Sequence, residues 1–507
     1  MNNLLERFIK RNNKKRGINI TVATMVMFLL SCTGIYAATV IDKNEKEYIL
    51  HVGEKGDNSY RWGGSNYFYT IDQSKLIING RLEAGNNTQS LEISSNAKDV
   101  TVENNGFIDG VTIGRDYSKL DGTNATFTNN GIVSNEGNAI VVYSKNATVN
   151  NYGIIKGGEK GVEFTTGISN EKLNNQGIIL DKDGKILNAS TVEQKIVLDN
   201  GNYTVKNAVD SSGKAQAITM NGTSGSNSFT NYILNGIDTT ISVSGKGNNL
   251  SGSVVNSLGN AINIESGAEL GLGSTTVNGN IAINGGTLTL TDINNKINGN
   301  VSGTTDNDTI KLGYQVDSNT NYTNLNTILK GSGVDTLKFS DNGNTIDTTK
   351  LSFAGNLEGG TGDDNFKVSS VNAKNVKIDG KDGNDTLILT GAYLGKVSDF
   401  SGVSNVETLQ LGEGNNELNI ESSDFTTIKG AAIGSNMFVT TQNITTENLT
   451  LTSGANSTLY LNNTNNGIDF KGKLEGGDWT IQVNNLSTEK KITLGNLDDQ
   501  VKTLKVQ

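Results

Sequence analysis

Proline is absent from this chain of 507 residues, although average usage would supply about 25. Proline cannot donate to a β-ladder and is kept out of central strands. A chain that places strands along most of its length is therefore expected to avoid it. The missing proline favours an all-β architecture with long, regular ladders.

Cysteine and histidine are almost absent as well. Cys32 is the only cysteine and His51 the only histidine. A disulfide framework needs pairs of cysteines, so it cannot stabilise this chain. One histidine speaks against His-based catalysis and against a His-rich metal site. Stability must come instead from a continuous core and an unbroken backbone ladder.

The most apolar stretch is short. Val22–Leu30 falls well below the 20 or so residues that a membrane-spanning helix needs. It follows residues 1–17, which carry six basic residues and one acidic residue, and it precedes small residues. That order is typical of a secretory signal peptide. We expect cleavage between Ala37 and Ala38, followed by export of the chain.

A second interpretation of the N-terminus stays open. The sequence LLSC at residues 29–32 looks like a lipobox, in which Cys32 would be lipidated and become the first mature residue. Leucine two positions before the cysteine is a weaker fit to that motif. Ordinary cleavage and lipidation therefore remain alternatives, and they imply different attachments to the membrane.

Acidic residues dominate the expected mature chain. Without residues 1–37 it holds 36 Lys and Arg against 51 Asp and Glu, a net charge of −15. Negative charge of this size argues against nucleic acid and against anionic membranes as partners.

A short phrase recurs between residues 97 and 180. Each copy places asparagines just before a glycine, and two residues with high strand propensity follow that glycine. The glycines are separated by 25, 22 and 24 residues. The four copies centre on Gly106, Gly131, Gly153 and Gly177.

Repeats of this length mark units that must stack to bury their apolar faces. Helical units would show apolar residues at i, i+3, i+4 and i+7, whereas these units show short apolar runs between Asn, Gly, Ser, Thr and Asp. The predicted fold class is all-β. It is a right-handed parallel β-helix, a β-solenoid with coils of about 22–25 residues and an N-terminal cap.

The asparagines and glycines have a predicted structural role. An asparagine can stack on the asparagine one coil above it and form an amide ladder. Asparagine and glycine also tolerate the left-handed backbone of a tight corner. We therefore interpret the four glycines as coil corners. The alternative is a set of ordinary hairpins with Asn-Gly turns.

The chain divides into four predicted segments. Residues 1–37 are the signal peptide, 38–90 an N-terminal cap, 91–300 a solenoid with the repeated phrase, and 301–507 its continuation. Residues 38–90 are the least repetitive, and they hold most of the aromatic residues near the N-terminus. A sugar-stacking patch is the alternative to a cap. The aromatic residues are Tyr48, Tyr60, Trp62, Tyr67, Phe68 and Tyr69.

Glycine- and aspartate-rich turns appear after residue 300. Gly359–Lys367 (GGTGDDNFK) fits the nonapeptide G-G-x-G-x-D-x-U-x at every fixed position, and Gly380–Ile388 (GKDGNDTLI) fits with Lys381 in place of the second glycine. These turns resemble the calcium-binding repeat of RTX proteins. The resemblance implies weak Ca²⁺ candidates at Asp363, Asp364, Asp382 and Asp385.

The spacing of these turns favours a structural role. A calcium β-roll needs its nonapeptides back to back, whereas the sixth positions here are 27, 29, 21 and 31 residues apart. We therefore expect no cofactor and interpret the turns as corners of the β-helix, with weak Ca²⁺ binding as the alternative. The sixth positions are Asp308, Asp335, Asp364, Asp385 and Asn416.

The alternating strings between Gly and Asn corners, such as residues 254–292, resemble autotransporter (type V secretion) passengers and filamentous-haemagglutinin-like β-helical adhesins. That resemblance implies an outer-membrane translocator barrel as a partner, encoded elsewhere or lost from this chain. The Asn-Pro motifs of two-partner secretion domains are absent, because the chain has no proline.

The resemblance implies an exported adhesin of a Gram-negative bacterium. It would act at the cell surface, in the outer membrane or outside the cell, and attach to host or neighbouring cells through a host-cell, matrix or glycan ligand. We expect a rod near 100 Å long and no enzymatic activity. The alternatives are a β-helix enzyme that degrades polysaccharides, a lyase or a glycoside hydrolase, and a lipid-anchored structural protein.

Overall fold

The computed structural model describes most of the chain after residue 38. The predicted signal peptide, including Cys32, Ala37 and Ala38, lies outside the described residues, as do Tyr60 and Trp62 of the aromatic cluster. The described ranges are 39–41, 48–52, 67–71, 75–84, 89–93, 99–114, 124–166, 168–189, 194–198, 201–222, 227–421, 424–445, 448–462, 468–477, 479–483, 492–494 and 501–506.

The fold is a parallel β-solenoid of about 17 turns with roughly 22 residues per turn, and about 5% of it is helical. The predicted fold class is thereby confirmed, and the alternative of ordinary hairpins is wrong, because successive copies of the phrase pair in parallel. The solenoid has two arms that lie side by side. Arm 1 comprises the described residues of 39–189, and arm 2 those of 194–506.

Arm 1 contains eighteen strands in three sheets. In chain order they are β1 (Thr39–Ile41), β2 (Tyr48–Val52), β3 (Tyr67–Ile71), β4 (Lys75–Ile78), β5 (Arg81–Leu82), β6 (Leu91–Ile93), β7 (Thr101–Asn104), β8 (Phe107–Ile108), β9 (Val111–Ile113), β10 (Thr126–Asn129), β11 (Ile132–Ser134), β12 (Ile140–Val142), β13 (Thr148–Asn151), β14 (Ile154–Lys156), β15 (Val162–Phe164), β16 (Lys172–Asn175), β17 (Ile178–Leu180) and β18 (Ile186–Ala189).

Each coil from β4 to β15 contributes one strand to each sheet. The sheet orders are β1-β4-β7-β10-β13-β16, β18-β17-β14-β11-β8-β5 and β15-β12-β9-β6-β2-β3. Residues at equivalent positions of successive coils are in register, so that Val102, Phe127 and Val149 form one fully buried stack. The ladder already includes β4 and β5, which lie in the segment predicted as a cap.

Arm 2 continues from a hairpin with thirty-three strands. Its strands are β19 (Gln194–Leu198), β20 (Gly201–Asn207), β21 (Ile218–Met220), β22 (Asn227–Thr230), β23 (Tyr232–Gly236), β24 (Ile241–Val243), β25 (Asn248–Ser251), β26 (Val254–Ile264), β27 (Glu269–Gly273), β28 (Thr276–Ile283), β29 (Thr287–Leu290), β30 (Lys296–Ile297), β31 (Val301–Ser302), β32 (Thr309–Leu312), β33 (Thr336–Lys338), β34 (Thr345–Asp347), β35 (Asn356–Glu358), β36 (Asn365–Val368), β37 (Ile378–Asp379), β38 (Thr386–Leu389), β39 (Leu394–Lys396), β40 (Val403–Ser404), β41 (Thr408–Gln410), β42 (Gly414–Asn419), β43 (Thr427–Lys429), β44 (Gly434–Thr440), β45 (Thr450–Thr452), β46 (Ser457–Leu461), β47 (Ile468–Phe470), β48 (Lys473–Glu475), β49 (Trp479–Val483), β50 (Ile492–Leu494) and β51 (Val501–Val506).

Arm 2 encloses one continuous apolar core, which extends from Ala208 to Val483. The long sheets along it are β22-β25-β27-β29-β32-β33-β35-β37-β40, β34-β36-β38-β41-β43-β45-β48 and β39-β42-β44-β46-β49-β51. In the second of these sheets Ile346, Phe366 and Leu387 occupy equivalent, fully buried positions.

Short helices interrupt arm 2. Helix α1 (Tyr322–Leu329) lies between β32 and β33 and buries Leu325, Ile328 and Leu329 against the core. The side chain of Asn321 caps it by accepting from Asn324 N at 3.2 Å. Three 3₁₀ turns follow at Thr348–Lys350, Ala373–Asn375 and Val397–Phe400.

The chain reverses direction between the arms. Among the strand pairs described, only β17 with β18 and β19 with β20 are antiparallel. After this reversal the coils of arm 2 run back along arm 1 as far as Asn298, which contacts Asn79. The expectation of one straight rod near 100 Å was therefore wrong, because the coils are divided between two parallel-lying arms.

A row of asparagine side chains joins the arms. In arm 2, each asparagine donates Nδ2–H to a backbone carbonyl of arm 1 over 2.7–3.1 Å, and the carbonyls run backwards along arm 1 as the asparagines run forwards along arm 2. The pairs are Asn207 with Gln176, Asn235 with Tyr152, Asn256 with Asn130, Asn278 with Asn105, and Asn298 with Asn79.

Asparagine side chains also form ladders within each arm, as predicted. In arm 1, Asn104 donates to Asn129 at 2.8 Å, and Asn129 donates to Asn151 at 2.9 Å. In arm 2, Asn256 donates to Asn235 and Asn278 donates to Asn256, both at 2.8 Å. Buried amides need partners for all their N–H groups, and these two sets of contacts supply them.

Apolar clusters lie on both sides of this asparagine row. One contains Ile132, Ile154 and Ile178 of arm 1 with Val209 of arm 2. The second contains Val205, Ile233 and Val254 of arm 2, with Tyr152 of arm 1 packed against them.

We predict that Asn256→Ala destabilises the protein by about 2–4 kcal/mol. The substitution leaves the buried Asn235 Oδ1 and the Asn130 carbonyl without their donor, and each buried group without a partner costs about 1–3 kcal/mol. Urea unfolding followed by circular dichroism measures the change. The control is Asn249→Ala one strand earlier, where the exposed side chain should matter by less than about 0.5 kcal/mol. Equal midpoints for the two variants would contradict the role assigned to the row.

Candidate functional site: acidic corners and an axial cleft

The four glycines predicted as corners stack directly on one another. A Cβ atom at Gly131 would lie 2.0 Å from Gly106 O, and one at Gly153 would lie 2.0 Å from Gly131 O. Gly106 and Gly177 make equally close approaches to the coil before them. No side chain fits at these positions, so they fix the spacing of the coils and leave no functional group there.

The acidic turns of arm 2 occupy three different corners of the coil. Asp308 and Asp335 precede β32 and β33, which pair with each other. Asp364 and Asp385 precede β36 and β38 of the next sheet. Asn416 lies within β42 of a third sheet. The irregular intervals in the sequence therefore arise because the motif moves from corner to corner.

Both carboxylate oxygens of Asp364 accept hydrogen bonds from backbone or amide donors. Its Oδ1 accepts from Asn344 N at 2.6 Å and Asn344 Nδ2 at 2.7 Å, and its Oδ2 accepts from Gly360 N at 2.9 Å. Asp308 follows the same rule with Thr304 N, again four residues earlier. An aspartate at this turn position thus accepts from the N–H four residues before it.

An asparagine at the same position reverses the contact. Asn344 Nδ2 donates to Ser340 O, and Asn416 Nδ2 donates to Gly412 O, both at 2.9 Å and both four residues earlier. The turn therefore accommodates either residue, because its backbone offers either an N–H or a carbonyl.

Asp385 does not make this contact. The N–H of Lys381 donates to Asp379 Oδ1 at 3.2 Å instead, and Lys381 holds a left-handed φ of 71°. Asp385 Oδ1 still accepts from Asp364 N at 2.7 Å, but its fully buried Oδ2 finds no hydrogen-bond partner among the described residues. Burial, together with the charges of Asp364, Glu407 and Asp363, raises the pKa of Asp385 to about 7.

The Ca²⁺ candidates do not converge on one point. Asp363 and Asp382 are exposed, whereas Asp364 and Asp385 are fully buried. Asp363 Oδ1 accepts from Asn384 N at 2.8 Å. Across the described ranges, no group of three or more His, Cys, Asp or Glu side chains is placed to hold a metal ion.

We predict that Asp385→Asn stabilises the protein at pH 8. The raised folded pKa means that the native state binds a proton between about pH 4 and 7 that the unfolded chain does not bind. Stability from this group therefore rises as the pH falls from 7 towards 4, and is lowest above 7. The asparagine removes the buried charge, so its advantage over the native chain should shrink towards pH 5. Thermal melts across this range measure it. A variant less stable at pH 8 would contradict the prediction.

We also predict that EDTA leaves the melting temperature unchanged relative to 5 mM CaCl₂. Backbone donors already occupy Asp364 Oδ2 and Asp385 Oδ1, and no group of three or more His, Cys, Asp or Glu side chains among the described residues is placed to hold an ion. An ion present at 100 times its Kd would add about 2.7 kcal/mol to the free energy of unfolding. A rise of many degrees with Ca²⁺ but not with Mg²⁺ would show a specific calcium site.

A cleft of about 980 Å³ lies at the carboxyl ends of five strands, β34, β36, β38, β41 and β43. At the spacing of a β-ladder it crosses roughly 19 Å of the solenoid axis. Its lining is mostly polar and contains one lysine and one acidic residue. The residues are Thr348, Thr349, Leu351, Lys367, Ser369, Asn372, Ile388, Leu389, Thr390, Gln410, Leu411, Gly412, Glu413, Ala431 and Ala432.

A change in the path of the chain creates this cleft. After β34 and β36 the chain makes long connections with 3₁₀ turns, whereas after β38, β41 and β43 it makes short turns that each contain a glycine. Ser370 fastens one long connection to the short turn beside it, since its Oγ lies 2.5 Å from Gly391 O and 3.0 Å from Gly391 N. The long connections form a wall, and the short turns form the floor.

A smaller groove of about 290 Å³ lies between the arms. Asn79 and Asn105 line it from arm 1, and Tyr203, Thr276 and Lys296 line it from arm 2. It begins where the outward residues of arm 2 change from Ile233 and Val254 to threonine and lysine, so the apolar contact between the arms ends there.

Sequence reasoning missed both the cleft and the contact between the arms. The two residues of high strand propensity after each glycine did indicate the contact between the arms. Ile132 faces arm 2, whereas Val133 faces the core of arm 1. A strand with apolar residues on both faces is buried on both.

No protein-family model, curated protein or solved structure matches this chain. Within the described ranges, no helix has both the length and the apolar character that crossing a membrane requires.

Proposed function

We propose that this protein is an exported passenger of a Gram-negative bacterium that is displayed at the cell surface or released, and that it mediates adhesin-like attachment. The observation that carries the proposal is the stack of about 17 coils, which repeats polar outer faces over a long platform. Such a platform is suited to binding through an extended surface.

The cleft supports binding more than catalysis. Its lining contains one carboxylate, that of Glu413. Glycoside hydrolysis in most enzymes uses a pair of carboxylates that flank the bond to be cleaved. An attachment role needs no such pair, and it agrees with the mixed polar lining of the cleft.

We predict that a full-length chain expressed in a Gram-negative host is cleaved between Ala37 and Ala38 and leaves the cytoplasm. Mass spectrometry of the mature N-terminus distinguishes this cleavage from lipidation at Cys32. Surface display is measured by antibody labelling of intact cells that also express a translocator barrel. The control chain has Lys14, Lys15 and Arg16 changed to glutamate in the basic segment, which should hold it in the cytoplasm. An unprocessed native chain confined to the cytoplasm would overturn the proposal.

A further inference from the structure

We propose that the axial cleft binds a neutral oligosaccharide laid along the solenoid axis. This inference rests on the proposed attachment function and names the class of ligand. The cleft follows five successive coils, so its shape fits an extended chain more than a compact molecule. Its volume also falls within the range of about 300–1,000 Å³ typical of ligand sites.

The charge of the lining indicates an uncharged ligand. Lys367 and Glu413 are both exposed and opposite in charge, and the remaining lining residues are neutral. A site for phosphate, sulfate or an acidic sugar normally gathers several cations. This lining contains only one.

The polar groups of the lining are suited to hydroxyl-rich chains. Ser369, Asn372 and Thr390 lie on adjacent coils and are exposed or half-buried. Asn372 precedes a 3₁₀ turn, yet its side chain makes no capping hydrogen bond. Hydroxyl and amide groups both donate and accept, as sugar hydroxyls require.

The floor of the cleft offers few contacts that would hold a peptide. Leu389, Leu411 and Ala431 expose 2%, 2% and 1% of their surface, so they offer few anchor pockets for apolar side chains. β38 and β41, which run beneath the middle of the cleft, are paired on both sides in their sheet. A peptide therefore finds no free strand edge there, which β-augmentation needs.

The test uses the purified mature chain with cellohexaose, maltohexaose and chitohexaose as probes, measured by saturation-transfer NMR and calorimetry. We expect at least one hexasaccharide to bind, and its disaccharide to bind at least tenfold more weakly. Thr390→Trp should reduce hexasaccharide binding at least tenfold by filling the cleft. Asn372→Ala should reduce it severalfold. Thr219→Trp, on an exposed outward position of β21, should leave it unchanged.

Two results would overturn the inference. One is that none of the three hexasaccharides binds at 10 mM. The other is equal hexasaccharide binding by the two tryptophan variants, with circular dichroism showing that both are folded. An exported chain that binds no saccharide refutes the ligand class and leaves the proposed export intact. A chain that binds saccharide but is not exported refutes the proposed function alone.

Discussion

A buried asparagine amide has two N–H groups, and each of them needs a hydrogen-bond acceptor. In the two ladders that lie along the contact between the arms, such as at Asn104 and Asn256, one N–H continues the ladder to the asparagine one coil away, and the other goes to a backbone carbonyl. In arm 1 that carbonyl belongs to the same arm, as when Asn104 donates to Ile132 O at 3.2 Å. In arm 2 it belongs to the other arm. The reversal of the chain therefore supplies a backbone acceptor for the second N–H of these arm 2 asparagines.

The two ladders also share a direction. In arm 1 each asparagine donates towards the later coil, and in arm 2 towards the earlier coil. Since the arms run in opposite directions, both ladders donate towards the hairpin that joins them. A parallel outer row in arm 1 runs from Asn130 through Asn105 to Asn79, and it ends where Tyr152 replaces asparagine. Asn130 Oδ1 is accordingly buried, with no donor found among the described residues.

Local features of the coil could be predicted from the sequence, and long-range ones could not. The spacing of Gly131 and Gly153 predicts the coil, and the asparagines before them predict the ladder, because both depend on neighbours one turn away. The contact between Asn298 and Asn79 joins residues 219 apart. Nothing in the repeat specifies which distant coil it meets. Only the apolar doublets, such as Ile132 and Val133, indicated that a second surface covers arm 1.

The acidic turns show the same limit in another form. The nonapeptide pattern predicted Asp364 and Asp385 at corners of the β-helix, yet it indicated neither their burial nor which corner each copy occupies. The N–H of Lys381 donates to Asp379 and not to Asp385, and the pattern could not indicate this, since Thr304 also replaces the second glycine and still donates to Asp308. The turn still forms, since Asp385 keeps its contact with Asp364 N.

The cleft depends on the length of the connection that follows each strand of the sheet that contains β34, β36 and β38. β34 and β36 lead into β35 and β37 through long connections, whereas β38 leads directly into β39 and a new sheet. The long connections stand above the short turns because the core beneath them keeps the same stacking, from Ile346 to Leu387. A regular solenoid thus acquires a concave surface without a break in its ladder. The proposed binding surface and the stability of the fold therefore depend on different residues, so that Thr390 can be altered without removing a buried contact, whereas Asn256 cannot.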